Sequence, residues 1–367
     1  MIGNNGKVVL QIVPRLPPAV CGVADHAIAL GDSLVKSWGY DVRYVAINPI
    51  PQPLKIDSNH QLTCRSADAL LTFLQEQNLP PSSTLIVHFS GYSYGKRGVC
   101  FWLTNALRRF LEQRPNINLI TMFHELWSPA PLLSKSGVTI PFQKMIVSKL
   151  IQLSKAVHTN RQAYGNQIRN LCPSFNGPVT IQNIFSNFGE PIGLPEFSSR
   201  KPQILIFQPP DLNTKGGKLF WEGWKRLRQQ LGYGKTIVAG RTQTIPADSE
   251  IQAVGYVSAE LGATLMLDSQ VAYLDYYDGY LGKSSIFSSF AAHGLAPVMQ
   301  RVNHSQLDGI LHRKHYLLPD DDELNDMASL RSIGHEIRSW YLTHSLAATT
   351  CTYANEIESF SENGTTG

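Results

Sequence analysis

The sequence predicts an α/β protein of two doubly wound domains in tandem, and three observations predict it. Short apolar runs alternate with stretches of helical periodicity along most of the 367 residues, the pattern of parallel strands covered by helices on both faces. The alternation stops at 186–202 (SNFGEPIGLPEFSSRKP), which carries three prolines and two glycines, and then restarts. Finally, Val271 to Gln300 reads as strand, tight loop, helix, turn and strand. Val271 to Asp275 is apolar, Ile286, Phe287, Phe290 and Ala291 lie at helical spacing, and Gly294 and Pro297 punctuate the end.

In chain order, Val8 to Val13 is a buried-type strand that ends in a Pro-rich loop, Pro14 to Gly22. A helix follows through Val23, Ala27, Leu30 and Leu34, and Asp41 to Ile47 is the next strand. Leu85 to Phe89, Leu119 to Phe123, Val157 to Asn160 and Val179 to Ile184 are further strands. Helical patterns at Ala67 to Gln77, Phe101 to Gln113 and Phe142 to Leu153 separate the earlier ones. After the break come a strand at Ile204 to Phe207, a helix at Gly217 to Leu231, and strands at Thr236 to Ala239 and Ala253 to Val257. The β-α-β unit, a short strand at Tyr316 to Leu318 and a final helix from about Leu324 to His344 complete the chain.

Composition excludes several classes of function. Hydrophobic residues are 43% and charged residues 16%, as in a soluble globular protein with room for two ordinary domains. A net charge of +4 without long charged runs argues against nucleic acid, and leaves only a weak attraction to an anionic membrane surface as a peripheral contact. The five cysteines are scattered and never form a C-x-x-C pair, so free thiols and no zinc site are expected. The polar MIGNNGK start lacks a signal-peptide layout, and no stretch approaches 18 apolar residues, so a cytoplasmic protein is expected.

Ligands of doubly wound sheets sit outside the carboxyl ends of the strands. In the first domain those ends are Pro14 to Gly22, His88 to Gly98 (with Tyr92 and Arg97), and His124 with Glu125. In the second they are Gln208 to Lys215, Gly240 with Arg241, Val257 with Ser258, and Asp278 to Ser285. The two sets suggest two substrates, one held by each domain. In the last loop, Gly279, Gly282, Lys283, Ser284 and Ser285 gather backbone N–H groups, hydroxyls and an ammonium at a helix N-terminus, where phosphate binds well. An ordinary β-α turn with a good N-cap has the same composition. A P-loop is a poorer reading, because the position five before Gly282-Lys283 is Tyr277 rather than glycine.

The Pro-rich loop with a glycine opening the first helix, Phe123-His124-Glu125 at a strand end, Thr214-Lys215-Gly216, and the Gly-rich turn before Ala291-Ala292-His293-Gly294-Leu295-Ala296-Pro297-Val298 occur in a familiar order. The chain resembles the retaining GT-B glycosyltransferases of family 4 from Val8 to about His344. The linker and Val87 to Gly98 (VHFSGYSYGKRG) resemble a bacterial, exopolysaccharide-type branch. The resemblance implies two Rossmann-like domains facing a central cleft: 1–190 for the acceptor, a linker at 191–202, 203–330 for the nucleotide-sugar donor, and 331–367 as a C-terminal helix returning to the first domain plus a tail.

It also implies roles. His124 and Asp278 become catalytic candidates; Gly22, Lys215, Arg241, Tyr256, Gly282, Lys283, Ser284 and Ser285 donor contacts; and His88, Tyr92, Arg97 and Glu125 acceptor contacts. Two departures stand out: the family's arginine falls on Pro210 and its second acidic-motif glutamate on Ser289. The implied reaction moves a sugar from a nucleotide-diphosphate sugar, a co-substrate, to a glycan or small-molecule acceptor with retention of configuration. No cofactor and no metal are expected, because Asp320-Asp321-Asp322 reads better as a helix start than as a carboxylate pair for an ion. Two alternatives remain: a catalytically silent module that binds a nucleotide or glycan, and a nucleotide-sugar epimerase using Glu125 and Asp278.

Overall fold

Apolar strands that bury on both faces build a parallel sheet, since such a run leaves no face for water. The computed structural model of the protein describes residues 7–17, 19, 21–48, 59–61, 65–131, 134, 137–240 and 244–362. Its first sheet contains β1 (Val8–Val13), β2 (Asp41–Ala46), β3 (Asn59–Gln61), β4 (Thr84–Phe89), β5 (Asn118–Phe123), β6 (Ala156–Thr159) and β7 (Val179–Ile181). All are parallel, in the order β3-β2-β1-β4-β5-β6-β7. Strand order reverses between β1 and β4, and that is where a ligand crevice is expected in this topology.

The helices are α1 (Gly22–Trp38), α2 (Ala67–Glu76), α3 (Gly91–Tyr94), α4 (Phe101–Gln113), α5 (Ile140–Leu153) and α6 (Gln162–Leu171). α1 lies very close to the sheet at Gly31, where a Cβ would come within 1.9 Å of the Tyr44 hydroxyl and 2.6 Å of Gln11 Nε2. Only glycine admits both polar side chains beneath the helix.

The second sheet contains β8 (Lys201–Phe207), β9 (Thr236–Ala239), β10 (Ile251–Gly255), β11 (Ser269–Leu274) and β12 (Ala296–Met299), ordered β10-β9-β8-β11-β12, and it too is parallel. Its reversal falls between β8 and β11. Around it are α7 (Lys215–Leu231), α8 (Ala259–Asp268), α9 (Ser285–Ala292) and α10 (Met327–Leu342), with α11 (Leu346–Glu362) following. Fully buried Phe220, Trp221 and Trp224 of α7 anchor the core against Tyr273 and Val238.

The chain divides into two compact units: residues up to Gln182 with those from Thr349 on, and Asn183 to Ala348. The expected linker, 191–202, and the segment before it belong to the second unit. Phe185 and Ser186 are buried, and the Ser186 N–H donates to the Tyr341 hydroxyl at 2.9 Å. The helix expected at Leu324 to His344 also stays in that unit, as α10. A further helix, α11, re-enters the first unit, where Tyr353, Ala354 and Ile357 are buried in its core. The expected strand at Tyr316 to Leu318 is two isolated bridges, Leu317 to Val298 and Tyr316 to His312. Cys21, Cys100, Cys172 and Cys351 are free thiols, while Cys64 lies outside the described residues. No described helix is long and apolar enough to cross a membrane.

Candidate functional site

In the second unit, the strand-order reversal opens into a pocket of about 420 Å³. Its floor is the end of β8 (Phe207) and of β11 (Leu274), and its sides are the first turns of α7 (Gly216, Phe220) and α9 (Ile286 and the capping Ser284). Two helices therefore point their N-termini, with their unpaired N–H groups and positive dipole ends, at one cavity. Thr214 caps α7 by accepting from Gly217 N at 2.9 Å, and Ser284 caps α9 by accepting from Phe287 N at 3.2 Å. Lys215 is the first residue of α7 and is exposed beside the pocket-lining Gly216. Gln208, directly after β8, has a φ of 47°, a left-handed conformation rare for its type, and packs under Gly240. Backbone strain of that kind gathers at ligand sites.

Gln208 falls in the strand end expected to meet a ligand, whereas sequence reasoning missed four residues lining this pocket: Asp275, Tyr276, Tyr277 and Arg301. Arg301 Nε donates to Asp275 Oδ1 at 2.7 Å and its Nη2 to Oδ2, and these bonds raise the guanidinium pKa. The signal was in the register. β11 pairs with β12 through Leu274 and Met299, so the residues just beyond those ends must meet. Pro210, where the resemblance looks for an arginine, lines the wall.

Several expected donor contacts do other work. Gly282 is buried, its carbonyl accepts from Ile184 N at 2.9 Å, and a Cβ there would lie 2.0 Å from Asn183 Nδ2; it permits close packing rather than phosphate approach. The N–H groups of Lys283 and Ser284 are taken by the carbonyls of Tyr280 and Leu281. Those of Ser285 and Ile286, the first two of α9, have no acceptor within the helix. The Lys283 ammonium sits 5.6 Å from the Tyr280 ring centre. Asp278 is exposed, its Oδ1 accepts from Ser305 N at 3.0 Å, and it does not line the pocket. Tyr256 is 74% exposed and also outside it, and Arg241 lies outside the described residues. Ser289 is fully buried, donating to the Ser285 carbonyl at 2.6 Å and accepting from Ser186 Oγ at 3.0 Å.

In the first unit the reversal between β1 and β4 is filled by polar side chains. His88 Nε2 lies 2.6 Å from Gln11 Oε1 and its Nδ1 3.2 Å from His124 Nε2. The His26 ring stands edge-on to His124 with centroids 5.0 Å apart. His88 was expected to touch the acceptor; it is fully buried and both its nitrogens are engaged within the protein, so that assignment is corrected. The backbone of His124 is pinned by its N–H to Phe89 O at 2.9 Å and by Asn160 Nδ2 to its carbonyl at 3.4 Å. Ser90 Oγ donates to Glu125 Oε2 at 3.0 Å. Tyr92 is 49% exposed, and Arg97, at φ 54°, is exposed with its carbonyl accepting from Gln143 Nε2 at 2.8 Å. Gly22 is exposed at the start of α1, with open space where a Cβ would go.

No family profile and no curated protein matches the sequence. Solved structures do match. A glycosyltransferase from Rickettsia africae aligns over 98% of this chain and 100% of its own, with a TM-score of 0.63 at 13% identity. Anabaena HepE, determined with UDP and glucose, aligns over 96% and 100%, with a TM-score of 0.58 at 10% identity. The fold is GT-B. A UDP-forming trehalose-phosphate synthase from Burkholderia xenovorans shares this GT-B architecture over 97% of this chain and 99% of its own, at TM-score 0.57 and 14% identity. In GT-B terms the pocket lies in the second Rossmann-like unit and the histidine cluster in the first.

Proposed function

We propose that the protein is a glycosyltransferase that moves a sugar from a nucleotide-diphosphate sugar to a glycan or small-molecule acceptor. The observation that carries this reading is the second-unit pocket, where the N-termini of α7 and α9 converge at the strand-order reversal beside Lys215 and Arg301. A leaving diphosphate needs preorganised positive charge shielded from water. Helix ends and the Lys215 ammonium offer that charge without a metal ion, so the proposed reaction is metal-independent. It is also proposed to retain configuration, as the resemblance to family 4 implies. The bond from the anomeric carbon to the phosphate oxygen breaks, the acceptor oxygen bonds to the same face, and the acceptor proton leaves on the phosphate. His124 then serves near the transferred carbon and Asp278 near the sugar hydroxyls.

The test is slow donor hydrolysis, which needs no known acceptor, in wild type, His124→Ala and Asp278→Asn. Removing a group that acts on the transition state should lower turnover by about 100-fold while donor affinity changes little. Equal rates in all three folded proteins would remove both residues from the chemistry. Nucleotide binding without any wild-type hydrolysis would favour the silent module, the reading that Pro210 and the buried Ser289 motivate. Turnover in excess EDTA should equal turnover in magnesium, and a strict need for divalent ion would overturn the metal-independent part.

A further inference from the structure

Acidic residues are missing from a long part of the first unit. Leu126 to Gln182 holds six Lys and Arg and no Asp or Glu, where the chain's average of 28 acids in 367 residues would place about four. Gly91 to Leu111 adds Lys96, Arg97, Arg108 and Arg109, again with no acid. Charges of one sign gathered in this way give part of the surface a positive potential that the net charge of +4 conceals.

α5 lies in the acid-free stretch and has two unlike sides. Its Ile146, Val147, Leu150 and Ile151 are buried in the core of the first unit. On the other side Val138, Phe142 and Met145 are 65%, 47% and 51% exposed. They follow one another at intervals of four and three, so they form one stripe along the helix and the turn before it. Large apolar side chains grouped in water add nothing to the fold, and such a group marks a surface that is covered in use.

Cations frame the stripe. Lys149 is exposed one turn beyond Met145, with its ammonium 5.3 Å from the Phe101 ring centre, and the Phe101 ring stands edge-on to Phe142 at 6.4 Å. Lys144 is exposed as well, its ammonium 5.0 Å from the ring centre of the half-buried Trp127. At the start of the helix the Arg97 carbonyl accepts from Thr139 Oγ1 at 3.2 Å and from Gln143 Nε2 at 2.8 Å, which brings the exposed Lys96 and Arg97 to that end. Apolar groups flanked by lysines and a tryptophan suit a boundary between hydrocarbon and water.

We infer that the α5 stripe of Val138, Phe142 and Met145, with Lys144 and Lys149 beside it, docks on an anionic bilayer surface. Charge complementarity selects this occupant. A second copy of the chain would set lysines against lysines, and a nucleic acid would meet the cations but leave the apolar stripe in water. A bilayer with acidic headgroups satisfies both, taking the apolar side chains at the acyl boundary and the ammonium groups at the phosphates. Because α5 buries its opposite side in the core, it lies along the interface rather than across it. The inference does not depend on the transferase reading, since binding is measured without a donor.

The experiment is flotation of the full-length protein with phosphatidylcholine vesicles, with and without phosphatidylglycerol, at low and high salt. Binding should be about tenfold tighter with the anionic lipid and should fall about tenfold at high salt. Phe142→Ser combined with Met145→Ser should weaken it by about tenfold or more, and Lys144→Gln combined with Lys149→Gln by about tenfold on anionic vesicles alone. Leu342→Ser, in the second unit and 53% exposed, should bind as wild type does. Circular dichroism confirms that each variant is folded, and if the serine pair is not, the glutamine pair and the salt series decide. Wild type that fails to float with anionic vesicles, or variants of the stripe or its lysines that float as well as wild type, would overturn the inference. A dimer in light scattering that the serine pair abolishes, without flotation, would give the face to a second copy and overturn it too.

Discussion

The two sheets reverse strand order in the same way and use the reversal in opposite ways. In the first unit the space beside β1 and β4 is packed with Gln11, His26, His88 and His124, none more than 5% exposed. In the second, the space beside β8 and β11 is an open pocket with two helix N-termini on its rim. Side-chain chemistry makes the difference. Gln11 and His88 can hydrogen-bond across the reversal, whereas Leu205 and Ala272, paired across the other, cannot. The same topology yields a rigid mount in one unit and a container in the other.

Acid should break the mount first. The unfolded chain titrates its histidines near 6.5, whereas folded His26 titrates near 3 and His88 well below normal. Between roughly pH 6.5 and 3 the unfolded state binds more protons than the folded state. Stability is therefore complete above pH 6.5 and falls as pH drops, by about 1.4 kcal/mol per pH unit for each such histidine. His344, brought to about 3 by burial, and His315, to about 4, add the same slope in the second unit. Urea unfolding at pH 7 and 4.5 measures it, and His26→Leu should flatten the slope by one histidine's share. An unchanged unfolding free energy would show that the imidazoles are not buried neutral.

The container should respond to Lys215→Ala, with nucleoside-diphosphate affinity falling by about 1.5–3 kcal/mol in calorimetry and folding little altered. Unchanged affinity takes Lys215 out of the site. A pair of glycines sharpens the contrast. Gly31→Ala drives a methyl into Tyr44 and Gln11 and should destabilise by about 1–3 kcal/mol. Gly216→Ala meets nothing within 4 Å and should be neutral or stabilising by up to about 1 kcal/mol, while narrowing the pocket. Similar melting shifts for both would erase the distinction. The smallest effect should be Ser284→Ala, about 1 kcal/mol of stability for the lost cap, with nucleotide affinity nearly intact because helix-start N–H groups remain.

Much of the fold was legible because buried parallel strands and punctuated helices write themselves in apolar spacing. β1 falls where its run of Val, Leu and Ile places it, and α7 and α9 start at Thr and Ser caps. α11 was illegible because its buried face includes Thr349 and Thr350 beside Tyr353, Ala354 and Ile357, which blurs the apolar period. The helix start before Ile286 was readable from composition, but its geometry was not. Only coordinates reveal that Gly282 serves packing and that Lys283 and Ser284 spend their N–H groups on a turn. Tyr276, Tyr277 and Arg301 reach the pocket through strand register, a three-dimensional relation that spacing along the chain does not carry.

α11 also ties the maturation of the first unit to the order of synthesis. Lys7 and Tyr40 both bond Glu358, while His158 stacks on Tyr353 and lies 2.6 Å from Glu356 Oε2. Those partners leave the ribosome only after the whole second unit, a delay on the order of ten seconds or more at ordinary elongation speeds. Until then, the buried His158 and the sheet face around Ala156 lack their cover. The first unit therefore closes its core over Tyr353, Ala354 and Ile357 only after the second unit has been made.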